Sequence, residues 1–317
     1  MDKIPVYILT GYLGAGKTTF LNKWLKERSE ERFFVIENEV GQVNIDSQLV
    51  QGKEVDLIGL TAGCICCSLQ DELLDVLEEV SSRRTSFDHL VIETTGIADP
   101  STIVSTFYKP DVEQVFELRT VITVVDALNM DFWLGSVSES AMQIAYADVL
   151  FVSKADGIGE SKQLELTQKL AQVNPTAPIL IGFQEETVDN IMQSRQHAER
   201  QLSQFLYEMP EWVSSSPHGI KTFSLVFDGY IDLRGLIKDL VVFLNKNLNE
   251  VYRIKATIAV QDYNKRIVLQ TVRNGYSFSD GQEWTPEEEP CSTFVFIGKN
   301  LDQSGIRTLI EPYVQGL

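Results

Sequence analysis

The chain has 317 residues, long enough that two domains are expected rather than one core. Hydrophobic residues make up 44% and charged residues 23%, the balance of a globular chain, and the formal net charge of −18 argues against wholesale binding to nucleic acid or an anionic membrane. Met1–Thr10 carries no export signal and no apolar run approaches ~18 residues, so a cytoplasmic protein without a transmembrane helix is expected.

In chain order, short apolar runs alternate with amphipathic stretches. Strands are expected at Val6–Thr10, Phe33–Glu37, His89–Glu93, Thr120–Asp126, Asp148–Val152 and Pro178–Ile181. Helices are expected at Lys17–Arg28, Asp71–Ser82, Glu139–Ala147 and Lys162–Gln172. Strands alternating with helices imply an α/β domain, a mostly parallel sheet flanked by helices on both faces. Gln184–Glu211 reads as polar helix and Val213–Pro217 as a linker, which sets the domains at 1–212 and 219–317. Beyond it, strands are expected at Thr222–Phe227, Tyr252–Val260, Arg266–Val272 and Thr293–Ile297, with helices at Leu233–Leu244 and Gln303–Pro312. Asn274-Gly275 is a hairpin turn signal, and Trp284–Pro290 reads as a surface loop. That rhythm implies a smaller C-terminal α+β domain.

Gly11-Tyr-Leu-Gly14-Ala15-Gly16-Lys17-Thr18 matches the phosphate-loop pattern G-x-x-x-x-G-K-[ST] at every position. The glycines let successive amides point at phosphates, Lys17 bridges the β- and γ-phosphates, and the Thr18 hydroxyl ligates Mg²⁺. Thr19 follows in the first helical turn. Leu90-Val-Ile-Glu93 is an apolar run ending in a carboxylate, the position for a residue holding Mg²⁺ directly or through water. Three residues later, the Gly96 amide is placed to sense the γ-phosphate. Ser153-Lys154-Ala155-Asp156 then follows a strand, where GTPases carry N-K-x-D. Asp156 accepts hydrogen bonds from guanine N1–H and the exocyclic amine, and the Lys154 stem packs along the ring; adenine leaves that carboxylate unpaired. Ser153 in place of Asn is expected to lose roughly 1 kcal/mol of local hydrogen bonding.

Of the four cysteines, Cys64, Cys66 and Cys67 lie together in Gly63-Cys-Ile-Cys-Cys67, and Cys291 stands alone. The cluster sits between the phosphate loop and the Glu93 run, beside an expected helix N-terminus that favours thiolate. Three thiolates suit a small soft ion, zinc or Cu(I), better than magnesium. Three buried thiols acting as small hydrophobes, or a redox pair, are the competing readings. Glu37 or Glu39, or water, supplies the fourth metal ligand.

With Ile4-Pro-Val6, Leu9–Thr19, Glu37-Asn-Glu39, the Cys-x-Cys-Cys element, Glu93-Thr-Thr-Gly96 and Ser153–Asp156, the chain resembles the CobW family of metallochaperone GTPases over nearly its whole length. Arg253-Ile-Lys255 is similar to a motif of that family's C-terminal domain. Four positions depart from the pattern: Ser153 where Asn is frequent, Val40 and Gln42 where Phe and Glu are frequent, and Ala256 where Gly is frequent. The resemblance implies hydrolysis of GTP to GDP and phosphate with Mg²⁺. It also implies Zn²⁺ (with Co²⁺ or Ni²⁺ as alternatives) bound at the cysteines and delivered to a client metalloprotein or cofactor pathway. An ATP-using enzyme of the same loop superfamily and a nucleotide-gated metal sensor stay open, as does a homodimer.

Overall fold

The computed structural model describes residues 2–37, 56–59, 68–97, 99–136, 138–184, 187–192, 213–215, 219–285 and 287–316. Its contacts divide the chain into two compact units: Met1–Leu166 with Ile179–Arg195, and Thr167–Pro178 with Gln196–Leu317.

The strands of the first unit are β1 (Ile4–Thr10), β2 (Phe33–Glu37), β3 (Asp56–Gly59), β4 (His89–Glu93), β5 (Phe116–Asp126), β6 (Val149–Ser153) and β7 (Ile179–Ile181). They form a 7-stranded sheet in the order β3-β2-β4-β1-β5-β6-β7, and every pairing is parallel. Parallel strands are covered on both faces, so they read as near-continuous apolar runs; Leu90, Val91 and Ile92 are all fully buried. The crossover segments hold α1 (Lys17–Glu27), α2 (Ser68–Ser82), α3 (Ser101–Thr106), α4 (Pro110–Glu113), α5 (Met130–Ser136), α6 (Ser138–Tyr146) and α7 (Glu160–Val173); α8 (Thr187–Met192) follows β7. Helix α1 buries Phe20, Leu21, Trp24 and Leu25, an i, i+4 stripe facing the sheet. Trp24 anchors that side of the core, edge-on to Tyr7 at 5.1 Å, with Phe20 and Phe33 each at 6.0 Å.

The second unit contains an antiparallel 6-stranded sheet in the order β13-β12-β11-β14-β9-β8. Its strands are β8 (Val213–Ser215), β9 (Ile220–Asp228), β11 (Val251–Ile258), β12 (Lys265–Val272), β13 (Gly275–Glu283) and β14 (Cys291–Lys299). A short pair, β10 (Tyr230–Ile231) with β15 (Val314–Gln315), lies beside it in sequence. Helices α9 (Leu233–Lys246) and α10 (Gln303–Ile310) start at Asp232 and Asp302, whose side chains accept the Gly235 and Ser304 amides, each at 3.1 Å. Leu236, Leu240 and Leu244 of α9 join Ile306 and Ile310 of α10 over Phe223, Ile254, Leu269, Phe294 and Phe296. Arg253 and Lys255, on the other face of β11, are buried; Arg253 donates to Gln270 Oε1 at 3.1 Å and Lys255 reaches the Thr176 carbonyl at 3.5 Å.

Sequence and structure part in a few places. Val213–Ser215, expected as linker, is a strand paired with Lys221–Phe223. β3 and β13 carry no strand in the sequence reading. Of the polar helix expected over 184–211, Thr187–Met192 is helical and 193–211 lie outside the described residues.

Candidate nucleotide and metal site

Every nucleotide-site residue read from the sequence falls at the carboxyl ends of the parallel strands, where helix N-termini and loops converge and α/β folds place ligands. β1 ends at Thr10, and the chain turns through Gly11 at φ 141, Gly14 at φ 74 and Gly16 at φ 95 before α1 begins at Lys17. A side chain at Gly11 would put its Cβ 2.3 Å from the Val124 carbonyl oxygen, so only glycine lets the loop pass this close to β5. Gly16 caps α1 without a side chain, which leaves the first amides of the helix open to an anion. Ala15 is buried beneath the loop, and its amide donates to the Tyr12 carbonyl at 3.1 Å.

Lys17 is buried, and its Nζ donates to the Gly11 carbonyl at 3.0 Å across the mouth of the loop. Thr18 and Thr19 are exposed at the rim. The Thr18 hydroxyl donates to Glu93 Oε1 at 3.1 Å, bringing together the two oxygen ligands expected for magnesium. A hydroxyl beside a carboxylate is a hard donor set that fits Mg²⁺. The adjoining Thr94 continues the β4 path, donating its amide to Leu9 O at 2.9 Å and its hydroxyl to Thr10 Oγ1 at 2.9 Å.

Gly96 lies against the loop so tightly that a Cβ there would meet the Leu13 amide nitrogen at 2.5 Å. Its carbonyl accepts from Gln143 Nε2 of α6 at 3.1 Å, and the Gln143 carbonyl in turn accepts from Thr123 of β5 at 2.8 Å. Gly96 is legible in the sequence, whereas Gln143 is a lone amide in an amphipathic helix with no local signature.

The base loop follows β6. Ser153 Oγ donates to the Ala15 carbonyl at 2.6 Å, with the Val125 carbonyl at 3.2 Å. The hydroxyl therefore keeps a tether between base loop and phosphate loop despite the missing Asn, although it has one hydrogen to share where an amide has two. Lys154 sits in the left-handed region at φ 55, and its Nζ donates to Gly14 O at 2.7 Å and to Asp126 Oδ2 at 2.8 Å. Asp156 is exposed in the 3₁₀ turn Ala155–Gly157, whose first residue, Ala155, is buried. Gln163 of α7 closes the turn from below through the Ala155 and Ile158 carbonyls, each at 3.3 Å.

From the sequence, Asp126 is expected only as the end of a strand. It is 4% exposed and also accepts from the Leu128 amide at 2.9 Å and from Asn129 Nδ2 at 2.8 Å. Burial pushes its carboxyl up, and the hydrogen bonds from Lys154, Asn129 and Leu128 outweigh this, holding it below the usual carboxylate range. The Asp-x-x-Asn spacing of an Asx-type turn was the available signal.

Of the five residues expected to hold zinc, one lies among the described residues. Glu37 ends β2, in register with Glu93 on β4 and with Gly59 on β3. Glu39, Cys64, Cys66 and Cys67 lie outside the described residues. Among the described residues no group of three or more His, Cys, Asp or Glu is arranged to hold a metal ion. Cys291, at the start of β14, is half-buried, and burial raises its thiol pKa, the setting of an unreactive cysteine. Nor is any described helix long and apolar enough to cross a membrane.

Residues 5–181 match the CobW/HypB/UreG nucleotide-binding domain, and residues 220–312 match the cobalamin synthesis protein CobW C-terminal domain. The chain is 32% identical over 320 residues to the zinc chaperone YjiA of Escherichia coli, covering 97% of this chain and 98% of that protein. It is 36% identical to the zinc-regulated GTPase metalloprotein activator 1 of Schizosaccharomyces pombe, over 57% of this chain and 46% of that one. The crystal structure of Zn(II)-bound YjiA GTPase superimposes with a TM-score of 0.70 at 28% identity, covering 99% of this chain and 100% of that chain. With both of its matched segments in this order and a complete phosphate loop, the chain belongs to the CobW family of P-loop GTPases.

Proposed function

We propose that this GTPase carries a transition-metal ion, zinc by preference, on Cys64, Cys66 and Cys67, and passes it to a client metalloprotein or cofactor pathway under control of the bound nucleotide. The observation that carries this reading is the pairing of Glu37 with Glu93 in adjacent strands. Glu37 opens the segment leading to the cysteines, and Glu93 receives the Thr18 hydroxyl of the phosphate loop. A change at the γ-phosphate therefore acts one strand away from a candidate zinc ligand. Three thiolates with Glu37, Glu39 or water as a fourth ligand would make a soft donor set that favours zinc over magnesium; Co²⁺ and Ni²⁺ are the competitors to test. The name of the E. coli relative, a zinc chaperone, supports zinc as the cargo.

Within the nucleotide site, Gly11, Gly14, Ala15, Gly16, Lys17, Thr18 and Thr19 would wrap the phosphates. Lys154 and Asp156 would hold guanine, and Gly96 would report the γ-phosphate. Thr18 and Glu93 would hold Mg²⁺, which when bound neutralises charge on the β- and γ-phosphates. Preorganised amides and the Lys17 ammonium stabilise the transferring phosphoryl group, so Lys17, Thr18 and Glu93 carry the rate. Titration of the apoprotein with Zn²⁺, Co²⁺ and Ni²⁺, with and without Mg²⁺·GTP, tests the proposal. Zinc bound most tightly and 1:1 with the cysteines is the expected result; no cysteine-dependent site for any of the three ions refutes it.

A further inference from the structure

We infer that Asp126 is a positioning residue for nucleotide selection: its buried carboxylate fixes the Lys154 ammonium, and through it the base loop, against the phosphate loop. The inference rests on the reading of Lys154 and Asp156 as the guanine site and adds a residue outside that motif. Asp126 ends β5 in register with Ser153, the residue before Lys154, so the two loops leave the sheet side by side. Backbone bonds reinforce the pairing: the Ala127 amide donates to the Ser153 carbonyl at 3.1 Å.

The side chain then does what the backbone cannot. Oδ1 accepts the Leu128 amide, while Oδ2 accepts both Asn129 Nδ2 and Lys154 Nζ. These donors fix the carboxylate in the turn that follows β5, so it presents a fixed charge rather than a swinging one. Lys154 answers from a left-handed backbone, a conformation that costs energy in any residue with a Cβ and persists only where its surroundings hold it. The ammonium spans two acceptors, Asp126 and the Gly14 carbonyl, so one side chain locks the base loop to the phosphate loop. Leu128, turned by the same Asp126 hydrogen bond, completes the clamp, since a Cβ at Gly157 would lie 3.0 Å from Leu128 Cδ2. Gly157 directly follows Asp156, so the turn that presents the guanine acceptor is braced by Asp126 from two directions.

Replacing the carboxylate by an amide of the same shape removes the charge that holds Lys154 and leaves the rest of the phosphate loop in place. That loop keeps its own supports, Gly11 against Val124 and Ser153 on the Ala15 carbonyl. The effect should therefore fall on the base and spare the phosphates. In Asp126→Asn, affinity for GTP measured with a fluorescent analogue in Mg²⁺ should fall by about 10–100-fold, the range for losing a charged hydrogen bond. Affinity for ATP, which gains nothing from Asp156, should stay within about twofold, so the GTP:ATP preference collapses. KM for GTP should rise while kcat changes little, because the lost contact serves binding and not the reacting phosphate. Asp126→Glu, which restores the charge on a longer arm, should recover part of the preference. Should Asp126→Asn fail to fold, Asn129→Ala at an exposed position loosens the same carboxylate and should move the preference several-fold in the same direction. Wild-type GTP:ATP preference retained in both variants overturns the inference. Equal weakening of GTP and ATP overturns it too, because that is general damage to the loop. A wild-type protein that does not prefer GTP over ATP overturns the base-site reading, and this inference with it.

Discussion

Replacing Gly96 by Ala tests the site at a point where the phosphate loop and the chain after β4 are in close contact. The backbone there lies outside the left-handed region, so the new methyl group meets no dihedral objection and the cost is contact alone. Its Cβ would sit 2.5 Å from the Leu13 nitrogen and 2.7 Å from Leu13 Cα and Cγ. Ordinary carbon contacts lie near 3.5 Å, so loop and β4 must separate by about 1 Å. Two of those three atoms are backbone, and the Gly96 carbonyl is held by Gln143, so neither side yields by a simple side-chain rotation. Overpacking of this kind costs about 1–3 kcal/mol of stability. In a domain of this size it lowers the thermal midpoint by only a few degrees. The functional cost is larger, because a misplacement of ~1 Å at a reacting centre is worth on the order of 10²-fold in rate. Gly96→Ala should therefore stay folded at 25 °C, with GTP hydrolysis reduced by about two orders of magnitude and GDP affinity changed less than GTP affinity. Thermal unfolding, phosphate release and nucleotide titration on one preparation check all three. Wild-type hydrolysis in the folded variant would refute the claim that the Gly96 peptide is built into the phosphate loop.

Other substitutions separate the remaining parts. Thr18→Ala removes the hydroxyl shared with Glu93 and should raise the Mg²⁺ concentration needed for half-maximal hydrolysis by tenfold or more, with GTP affinity in EDTA little changed. An unchanged Mg²⁺ requirement would remove Thr18 and Glu93 from the metal site. Changing Cys64, Cys66 and Cys67 together to Ser should abolish tight zinc binding in a competition assay while GTP affinity stays within about twofold, since thiolate sulfur, not hydroxyl, suits the ion. His89, at the start of β4, has its pKa lowered from 6.5: burial lowers it, and Glu31 at 3.0 Å raises it by a smaller amount. Below pH about 6.5 the unfolded chain binds a proton that the folded chain resists, so stability is full above that value and falls as pH drops through the folded pKa. His89→Phe should flatten this acid limb in urea-melt midpoints, and an unaltered slope would count against the assignment.

Local chemistry decided what was legible in the sequence. The phosphate loop, Glu93 and Ser153–Asp156 are short contiguous signals, and the parallel strands beneath them are apolar runs that announce themselves. Helix α1 follows from its i, i+4 stripe. β3 is four residues, Asp56–Gly59, too short for a period to develop. β13 is an edge strand whose Tyr276, Phe278 and Asp280 alternate with serines and glycine, a polar pattern that resembles loop. Val213–Ser215 has linker composition and becomes a strand only because β9 offers it an edge. In the site, Gln143 and Asp126 act through tertiary contacts, to Gly96 from another helix and to Lys154 from another loop. Nothing within a few residues of either could announce those partners. Ser153 shows the opposite case: the departure from Asn was visible, but its surviving bond to the Ala15 carbonyl needed the fold.

If the nucleotide governs the grip on the cargo ion, zinc dissociation constants must differ between nucleotide states. Protein saturated with Mg²⁺ and a non-hydrolysable GTP analogue, with Mg²⁺·GDP, or with no nucleotide is titrated against a zinc-chelating dye. The analogue-bound state should hold zinc at least tenfold more tightly than the GDP-bound state, a coupling of about 1.4 kcal/mol, and the difference should vanish in the triple Cys→Ser variant. The same zinc affinity in all three states would contradict nucleotide control of the cargo ion.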